Sequence, residues 1–372
     1  MIVSSDKTRL LKWLFIIIFL MAPIKNSSFF YDTIFGLLIS ILQSTCLLII
    51  GVILLINTKD KLTLPVLIFL LISILYVTSL GDGYIEVLAT FILTFAFVKI
   101  GNFSFIINIA YYYLIITTFI LIFHITGFYR FPSNSFNIIK GETFQLGFRN
   151  INTYGFYITQ SIIIGFILKK KKILYWGITL LFTSYFYTKT RTSIVVILIT
   201  TTIYLLIIKP MWISTRVKSV LVTFGVMCIF CIGYLTIIFA TKIGNIDMMW
   251  LIQEDFTLDD LSSARISMLA DSTEKFNMIN WIFGDTQMPV QDSFYLFIIT
   301  KYGFLSGLFC MFWILIRFFI LMENEDYRTS IFFFSVLLYG LFEMTISPYS
   351  FMSIFFYMFL FNFKKLNNYV IK

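Results

Sequence analysis

The stretch "KKKKILYWGITLLFTSYFYTKTRTSIVVILI", residues 169–199, alternates basic clusters with apolar runs. The apolar run 173–187 lies between the tetralysine Lys169–Lys172 and a second basic pair, Lys189 and Arg191. A second apolar run, 192–208, follows that pair directly. Apolar runs of this kind, separated by short polar connections, are typical of a chain that crosses a bilayer repeatedly. The stretch therefore predicts two membrane helices joined by a tight turn.

The composition of the whole chain extends this prediction. The chain has 372 residues, of which 59% are hydrophobic and only 13% are charged, and its mean hydropathy is +0.92. A water-soluble domain could not bury that much apolar surface. Within hydrocarbon, helices satisfy their own backbone groups, whereas a barrel needs short alternating segments that this sequence lacks. We therefore expect an all-α polytopic membrane protein that forms a single integral membrane domain over residues 1–372.

About twelve transmembrane helices are predicted from the apolar runs. The first run has no small-residue cleavage site near its end at Pro23, so we interpret it as a spanning helix rather than a signal peptide. The runs lie near 11–24, 33–56, 62–80, 84–100, 103–125, 153–168, 173–187, 192–208, 217–240, 293–316, 329–344 and 346–362.

The distribution of Lys and Arg predicts the orientation. Of the 28 Lys and Arg residues, ten fall on one side, and the other 18 fall on the side of the tetralysine. Cytoplasmic connections carry the excess of cations, so both termini are predicted to be cytoplasmic. The ten on the outside are Lys25, Arg130, Lys140, Arg149, Lys189, Arg191, Lys242, Arg265, Lys275 and Lys301.

Two outside loops are too long to serve only as connectors. The first covers 126–152, and the second covers 241–292 and holds most of the acidic residues outside the predicted spans. Apolar residues recur at helical spacing within 259–281, so we expect the larger loop to form a partly helical cap. Long loops of this kind are usually functional or disordered.

Several kinds of chemistry are disfavoured. The chain has no GxxxxGK[ST] motif for nucleotide phosphates, and its single histidine, His124, argues against catalysis by several histidines. The four cysteines, including the pair Cys228 and Cys231, lie inside apolar runs without further metal ligands nearby. We therefore predict no metal, no cofactor and no nucleic-acid partner.

The outside face carries the candidate site. Arg149 and Arg191 each directly precede a predicted span, and Arg265 lies in the large loop. Arginine presents a planar, permanently charged group that matches phosphate oxygens, and free backbone N–H groups at helix starts near Asn152 and Thr190 also favour anions. An alternative is that each arginine only reaches lipid headgroups.

A second group of candidates follows the large loop. Asp292 ends the loop and Tyr295 lies one turn later, whereas Lys301 would lie deep inside a span that starts at residue 293. Either the membrane segment starts near Gly303, or Lys301 faces a water-filled cavity. Glu343, near the outer end of the eleventh span, needs a cationic partner and could pair with an outer arginine.

Three of these segments resemble a known family. "FRNINTYGFYITQ" (148–160), "YFYTKTRTSIVVILI" (185–199) and "DSFYLFIITKYGFLSG" (292–307) are similar, in this order, to motifs of the bacterial O-antigen and capsule repeat-unit polymerases (the Wzy family) and of the O-antigen ligases. The resemblance covers about residues 145–350. The ligases carry a histidine where this chain has Asp292, which favours the polymerase branch.

The resemblance implies a glycosyltransferase of the inner membrane whose active site faces the periplasm. It would move a growing chain from undecaprenyl pyrophosphate onto a lipid-linked repeat unit, for O-antigen or capsule synthesis. Arg191, Arg149 and Asp292 are the expected catalytic residues. The expected substrate-binding residues are Lys189, Arg265, Asn152, Tyr154, Tyr295, Glu343 and Tyr349. Expected partners are the lipid-linked oligosaccharide and membrane lipids, with a chain-length regulator and a flippase as further candidates.

Two other functions remain open on the sequence. A flippase or transporter for lipid-linked oligosaccharide would also be polytopic, although such proteins place charges inside a central cavity. An enzyme with a metal-dependent carboxylate pair would need acids in an outer loop near the N-terminus, where the chain offers only Asp32.

Overall fold

The computed structural model is predominantly helical. The structure describes residues 5–27, 33–56, 83–100, 104–128, 133–137, 141–144, 146, 148, 151–189, 191–239, 270–271, 274, 276–284, 294–324, 327–341 and 350–354.

Eleven helices are described within these ranges, and a π-helical turn, Tyr204–Ile208, continues the seventh. The helices are α1 Ser5–Lys25, α2 Ile34–Ile56, α3 Gly83–Ile100, α4 Ser104–Ile125, α5 Ile151–Ile167, α6 Lys171–Thr188, α7 Arg191–Ile203, α8 Thr215–Ile238, α9 Met278–Phe283, α10 Phe294–Glu323 and α11 Tyr327–Gly340.

Helices occupy the positions of the predicted spans where the structure describes them. Ten of the twelve apolar runs coincide with α1–α8, α10 or α11, whereas the run 62–80 lies outside the described residues and the run 346–362 is described only at 350–354. Five helical segments are long and apolar enough to cross a membrane: Ile34–Leu54, Phe105–Ile125, Arg191–Ile208, Thr215–Ile238 and Ile298–Glu323. The chain therefore has the helices of a membrane protein.

One short hairpin departs from the all-α prediction. Strands β1 (Ser133–Asn137) and β2 (Gly141–Phe144) pair antiparallel, with Ser133 opposite Phe144 and a register irregularity before the turn. The hairpin lies within the predicted outer loop 126–152, where its two strands satisfy backbone groups of each other.

The chain divides into two compact units: residues 1–201, 331–333 and 346–372 form unit 1, and residues 202–330 and 334–345 form unit 2. In unit 1, α5 runs antiparallel to α4. The hydroxyl of Tyr154 donates to the carbonyl oxygen of Thr117 at 2.7 Å, and the hydroxyl of Ser161 donates to that of Ala110 at 3.2 Å. Each such bond pairs a side-chain donor with a carbonyl oxygen of the neighbouring helix, so the two helices are held in register.

Helix α6 packs closely on α5 because a glycine lies at their contact. A Cβ atom on Gly177 would lie 2.5 Å from Cγ1 of Ile162, which is far inside van der Waals contact. On its other side α6 reaches α4, where the indole N–H of Trp176 donates to the hydroxyl of Thr118 at 3.1 Å. Helices α4, α5 and α6 therefore form a compact antiparallel set.

The core of unit 1 is aromatic. Phe15 of α1 contacts Phe19, Phe97 and Phe105 with ring centroids 4.6 to 5.6 Å apart, and Phe351 stacks on Phe19 at 4.3 Å. All five rings are 2% exposed or less. Aromatic rings bury the largest areas per residue, which explains how phenylalanine-rich segments form one core.

Unit 2 is centred on α8 and α10. The ring of Tyr295 packs edge-on against Phe230 at 5.2 Å and its hydroxyl donates to the carbonyl oxygen of Leu337 at 3.0 Å. Gly233 allows this approach, because a Cβ there would lie 3.1 Å from the Tyr295 ring. Helix α10 is kinked at Gly303, whose φ of 82° is unfavourable for residues with a side chain.

Candidate functional site

Three connections that were predicted to be on the outside lie together at one end of unit 1. Ser27 forms an antiparallel bridge with Phe148, and the amide nitrogen of Asn26 donates to the Tyr157 hydroxyl at 2.9 Å. The His124 ring, near the end of α4, packs edge-on against Tyr187, near the end of α6, at 5.4 Å. This end of the helix set thus joins the segments after α1, after α4 and after α6.

The opposite end of the set carries cations that were predicted to be cytoplasmic. The Lys12 ammonium lies 5.7 Å from the Phe105 ring centroid at the start of α4. Lys169–Lys172, all exposed, form the turn between α5 and α6. Since α6 has 18 residues, about 27 Å of helix separates this tetralysine from Lys189.

The turn after α6 presents the candidate anion site. Lys189 ends α6 in the left-handed conformation with φ 51°, and its N–H donates to the carbonyl oxygen of Tyr185 at 2.9 Å. Helix α7 then starts at Arg191, which is partly exposed. The first turn of a helix leaves backbone N–H groups without intrahelical acceptors, so an anion near Arg191 would meet both a guanidinium group and the positive end of the helix.

Buried hydroxyl groups flank this turn. Thr188 is fully buried and its hydroxyl donates to the carbonyl oxygen of Ser184 at 3.1 Å. Ser193, in the first turn of α7, is 1% exposed. Lys189 is partly exposed, and its ammonium lies 5.8 Å from the Tyr185 ring centroid. The two cations therefore lie close in sequence to two buried hydroxyl groups, Thr188 and Ser193.

The predicted site residues of α5 lie at the same end of unit 1 but differ in exposure. Asn152 is partly exposed in the first turn of α5. Tyr154 is fully buried, with its hydroxyl bonded to α4. Tyr154 therefore packs α5 against α4 in this conformation, and a contact with sugar would require its ring to become exposed.

Tyr295 is likewise fully buried, within unit 2. Its hydroxyl bond to Leu337 and its aromatic contacts give it a packing role in this conformation. Five of the other predicted site residues lie outside the described residues, and their roles stay predictions: Arg149, Asp292, Arg265, Glu343 and Tyr349.

The segment around Lys301 is helical and contains a kink two residues later. Helix α10 already starts at Phe294, and its kink lies at Gly303. Lys301 is 7% exposed. The short helix α9 of the large loop packs directly on this kink, because a Cβ on Gly303 would lie 2.1 Å from the carbonyl oxygen of Ile282. This confirms that part of the large loop is helical.

The predicted apolar stripe of the large loop is only partly described. Phe276 and Trp281 pack edge-on at 5.6 Å, as one apolar surface would require. Ile279, however, is 68% exposed. The stripe residues Ile266 and Leu269 lie outside the described residues.

Sequence reasoning missed the role of Gln160. Its side-chain oxygen accepts from the Phe351 N–H at 3.0 Å, and lies 3.5 Å from the Ser350 hydroxyl. Gln160 is the tenth of the 17 residues of α5, so the helical turn 351–354 begins beside the middle of that helix. Such a buried helix start needs an acceptor for its free N–H groups. A glutamine in the middle of a predicted membrane helix was the available signal.

Within the residues that the structure describes, no three His, Cys, Asp or Glu side chains are grouped as metal ligands would be. The same residues include all four cysteines, each with a free thiol. The chain matches no protein-family model, and neither curated proteins nor solved structures show significant similarity to it.

Proposed function

We propose that this chain is a glycan polymerase that elongates a polysaccharide on undecaprenyl pyrophosphate. The observation that carries the proposal is the turn between α6 and α7, where Arg191 is partly exposed at a helix start and Lys189 is held beside it. The similarity of three sequence segments to repeat-unit polymerases and ligases supports the same function.

The reaction requires little beyond charge stabilisation and alignment. A hydroxyl group of the lipid-linked repeat unit attacks the anomeric carbon of the donor chain. The bond between that carbon and the pyrophosphate oxygen breaks, and undecaprenyl pyrophosphate leaves with the bonding electrons. In our proposal Arg191 and Arg149 stabilise the charge that develops on the pyrophosphate, and Lys189 and Arg265 assist. Asp292 takes the proton of the attacking hydroxyl group.

The proposed setting is the inner membrane of a bacterium, for O-antigen or capsule synthesis. In this proposal, twelve spans with both termini in the cytoplasm would put the α6–α7 turn in the periplasm, where lipid-linked repeat units would be joined. Asn152 and Glu343 would complete the polar surface around the donor, with Tyr349, Tyr154 and Tyr295 as further sugar contacts once exposed. A chain-length regulator and a flippase are the proposed protein partners.

A flippase or transporter of lipid-linked oligosaccharide is the second candidate. The buried Lys301 next to the kink at Gly303 favours it, since buried charges and broken helices are common at the binding sites of transporters. The polymerase is preferred because Lys189 and Arg191 lie at a helix end instead of inside the helix set.

Deletion of the gene separates the two candidates. Loss of a polymerase should leave single repeat units on the cell surface, because export and ligation continue. Loss of a flippase should leave no surface repeat units at all. A deletion strain without any surface repeat units, restored fully by the intact gene, would overturn the polymerase proposal. Analysis of surface polysaccharide by gel electrophoresis provides the measurement.

A further inference from the structure

A cleft of 340 Å³ lies between α1 and α4 of unit 1, at the end opposite the α6–α7 turn. Helix α1 lines it with Arg9, Lys12, Trp13, Ile16 and Leu20. These positions recur at intervals of three and four residues, so they lie on one face of the helix. The face is basic at its start and apolar from Trp13 onward.

Helix α4 forms the opposite wall. Phe105 and Ile109 are 2% and 1% exposed, and both line the cleft together with the exposed Asn108. At the level of Leu20, the last lining residue of α1, the two helices are joined, because the Tyr112 hydroxyl donates to the carbonyl oxygen of Leu20 at 3.0 Å. The polar side chains that line the cleft thus lie near the starts of α1 and α4, and apolar side chains line the rest of it.

The dimensions match one leaflet of a bilayer. Arg9 and Leu20 are eleven positions apart in α1, which corresponds to about 17 Å of helix. One leaflet of hydrocarbon is about 15 Å thick, half of the roughly 30 Å core. Trp13, 56% exposed, lies one turn below Arg9, where tryptophan commonly marks the boundary between headgroups and acyl chains.

The two cations are available for an anion. Arg9 is exposed, and the Lys12 ammonium lies over the Phe105 ring. Among the described residues, no carboxylate forms an ion pair with either side chain. Basic pockets between membrane helices attract anionic headgroups, whose phosphate oxygens suit both arginine and lysine.

From these observations we propose that the cleft binds one anionic phospholipid. Arg9 and Lys12 contact its phosphate group, and one acyl chain lies along Trp13, Ile16 and Leu20. The lipid belongs to the leaflet on the tetralysine side. The inference is independent of the proposed polymerase activity.

A polyprenyl lipid fits the cleft less well. An undecaprenyl chain is far longer than the roughly 17 Å between Arg9 and Leu20, the first and last lining residues of α1. The cleft is lined by residues at the start of α4, whereas His124, near the end of α4, contacts Tyr187 near the end of α6. A pyrophosphate at the α6–α7 turn and a phosphate at Arg9 would therefore be in different leaflets.

Native mass spectrometry of the purified full-length chain tests the proposal. The delipidated protein is titrated in detergent with phosphatidylglycerol and, separately, with phosphatidylcholine that carries the same acyl chains. We expect phosphatidylglycerol to bind about 20-fold more tightly, and the double variant Arg9→Gln/Lys12→Gln to reduce that preference to within about twofold. Equal affinities in the unchanged protein would overturn the proposal.

The matched control removes two other cations at the same end of the helix set. Lys171→Gln/Lys172→Gln makes the same change of charge at exposed positions outside the cleft. It should keep the preference for phosphatidylglycerol. If this control lost as much preference as the cleft variant, binding would reflect general charge and the proposal would be wrong.

A third variant tests the acyl-chain part of the cleft. Ile16→Trp fills the groove with a larger side chain while both cations remain, and it should weaken binding of phosphatidylglycerol about tenfold or more. Unchanged affinity would show that no acyl chain lies there.

Undecaprenyl phosphate serves as a competitor. Displacement of phosphatidylglycerol at equal concentration would assign the cleft to a polyprenyl lipid instead and overturn the proposal.

Discussion

Helix α6 has 18 residues and a turn at each end, one shared with α5 and the other with α7. The two turns have one uncommon backbone feature in common. Each has a lysine in the left-handed conformation, Lys169 with φ 55° and Lys189 with φ 51°. After α5, the N–H of Lys170 bonds to the carbonyl of Gly165 and that of Lys169 to Phe166, which forms a Schellman motif. After α6, the N–H of Lys189 bonds to the carbonyl oxygen of Tyr185.

The surroundings of the two turns differ. Lys169–Lys172 are exposed throughout, and the predicted cytoplasmic position of this turn would by itself account for four lysines there. Lys189 and Arg191 are partly exposed and stand between the buried Thr188 and Ser193. Similar backbone geometry is therefore found beside four exposed lysines at one end and beside two partly exposed cations at the other. A ligand role fits only the second turn.

The comparison fails entirely if both turns lie on the same side of the membrane. We expect Lys189→Cys to react with a membrane-impermeant maleimide in intact spheroplasts, and Lys170→Cys to react only after the membrane is opened. Because four native cysteines are present, both variants are made in a chain with Cys46, Cys228, Cys231 and Cys310 replaced by alanine. Labelling of both sites in intact spheroplasts, or of Lys170→Cys alone, would refute the predicted orientation.

Removal of the guanidinium group should have the largest effect on activity. Arg191→Ala is expected to lower the rate of polymer formation by about 100-fold or more, as for the loss of one group that stabilises transition-state charge. Arg191→Lys should retain a small part of the rate, because an ammonium group lacks the two-pronged geometry that matches phosphate. The measurement is chain growth on a purified lipid-linked repeat unit in proteoliposomes.

Lys171→Ala is the matched control for this experiment, since it removes one exposed cation from the other turn of α6. Its rate should stay within about twofold of the unchanged protein. An Arg191→Ala protein that reaches the membrane and still makes full-length polymer would show that the α6–α7 turn does not bind the pyrophosphate.

Helix α6 positions both turns through its contact with α5. Gly177→Ala should lower the free energy of unfolding by about 1–3 kcal/mol, because the new Cβ would lie 2.5 Å from Cγ1 of Ile162. Combined with Ile162→Ala, the loss should be clearly smaller than the sum of the two single effects. Thermal unfolding in detergent provides the measurement.

The control for this contact is Gly51→Ala in α2. Its Cβ would lie 4.0 Å from the nearest atom, Cδ1 of Ile92, and alanine favours a helix over glycine. We expect no loss of stability there. Strict additivity of Gly177→Ala and Ile162→Ala would contradict the close approach of α5 and α6.

The sequence predicted the elements of unit 1 well because its signals there are local. Apolar runs and basic turns determine where α5, α6 and α7 start and end, and the structure agrees to within a few residues. The pairing of Ser27 with Phe148 and of Asn26 with Tyr157 could not be predicted, because both join residues more than 100 positions apart. Such contacts depend on three-dimensional packing.

The candidate site was predicted only in part for a related reason. Arg191 lies on the side that was predicted to carry fewer cations, and this was visible in the sequence. Its partial exposure is consistent with binding of an anion. Tyr154 and Tyr295 were selected because tyrosine often contacts sugars, but amphipathic side chains also pack well in cores when one carbonyl group accepts their hydroxyl. Whether a tyrosine is buried decides between sugar contact and core packing, and the local sequence does not determine its burial.

The smallest expected effect concerns the left-handed lysines themselves. Lys169→Gly and Lys189→Gly should each raise the free energy of unfolding by about 0.5 kcal/mol, because glycine adopts this conformation without steric cost but gains entropy in the unfolded chain.

Activity should separate the two variants. Lys169→Gly leaves the rate of polymer formation unchanged, whereas Lys189→Gly lowers it several-fold by removing an ammonium group beside the pyrophosphate. Lys189→Arg, which keeps the charge and the strain, should retain most of the activity. If Lys189→Gly were as active as Lys169→Gly, only Arg191 of the α6–α7 turn would remain a candidate ligand, and Lys189 would be equivalent to the lysines of the other turn.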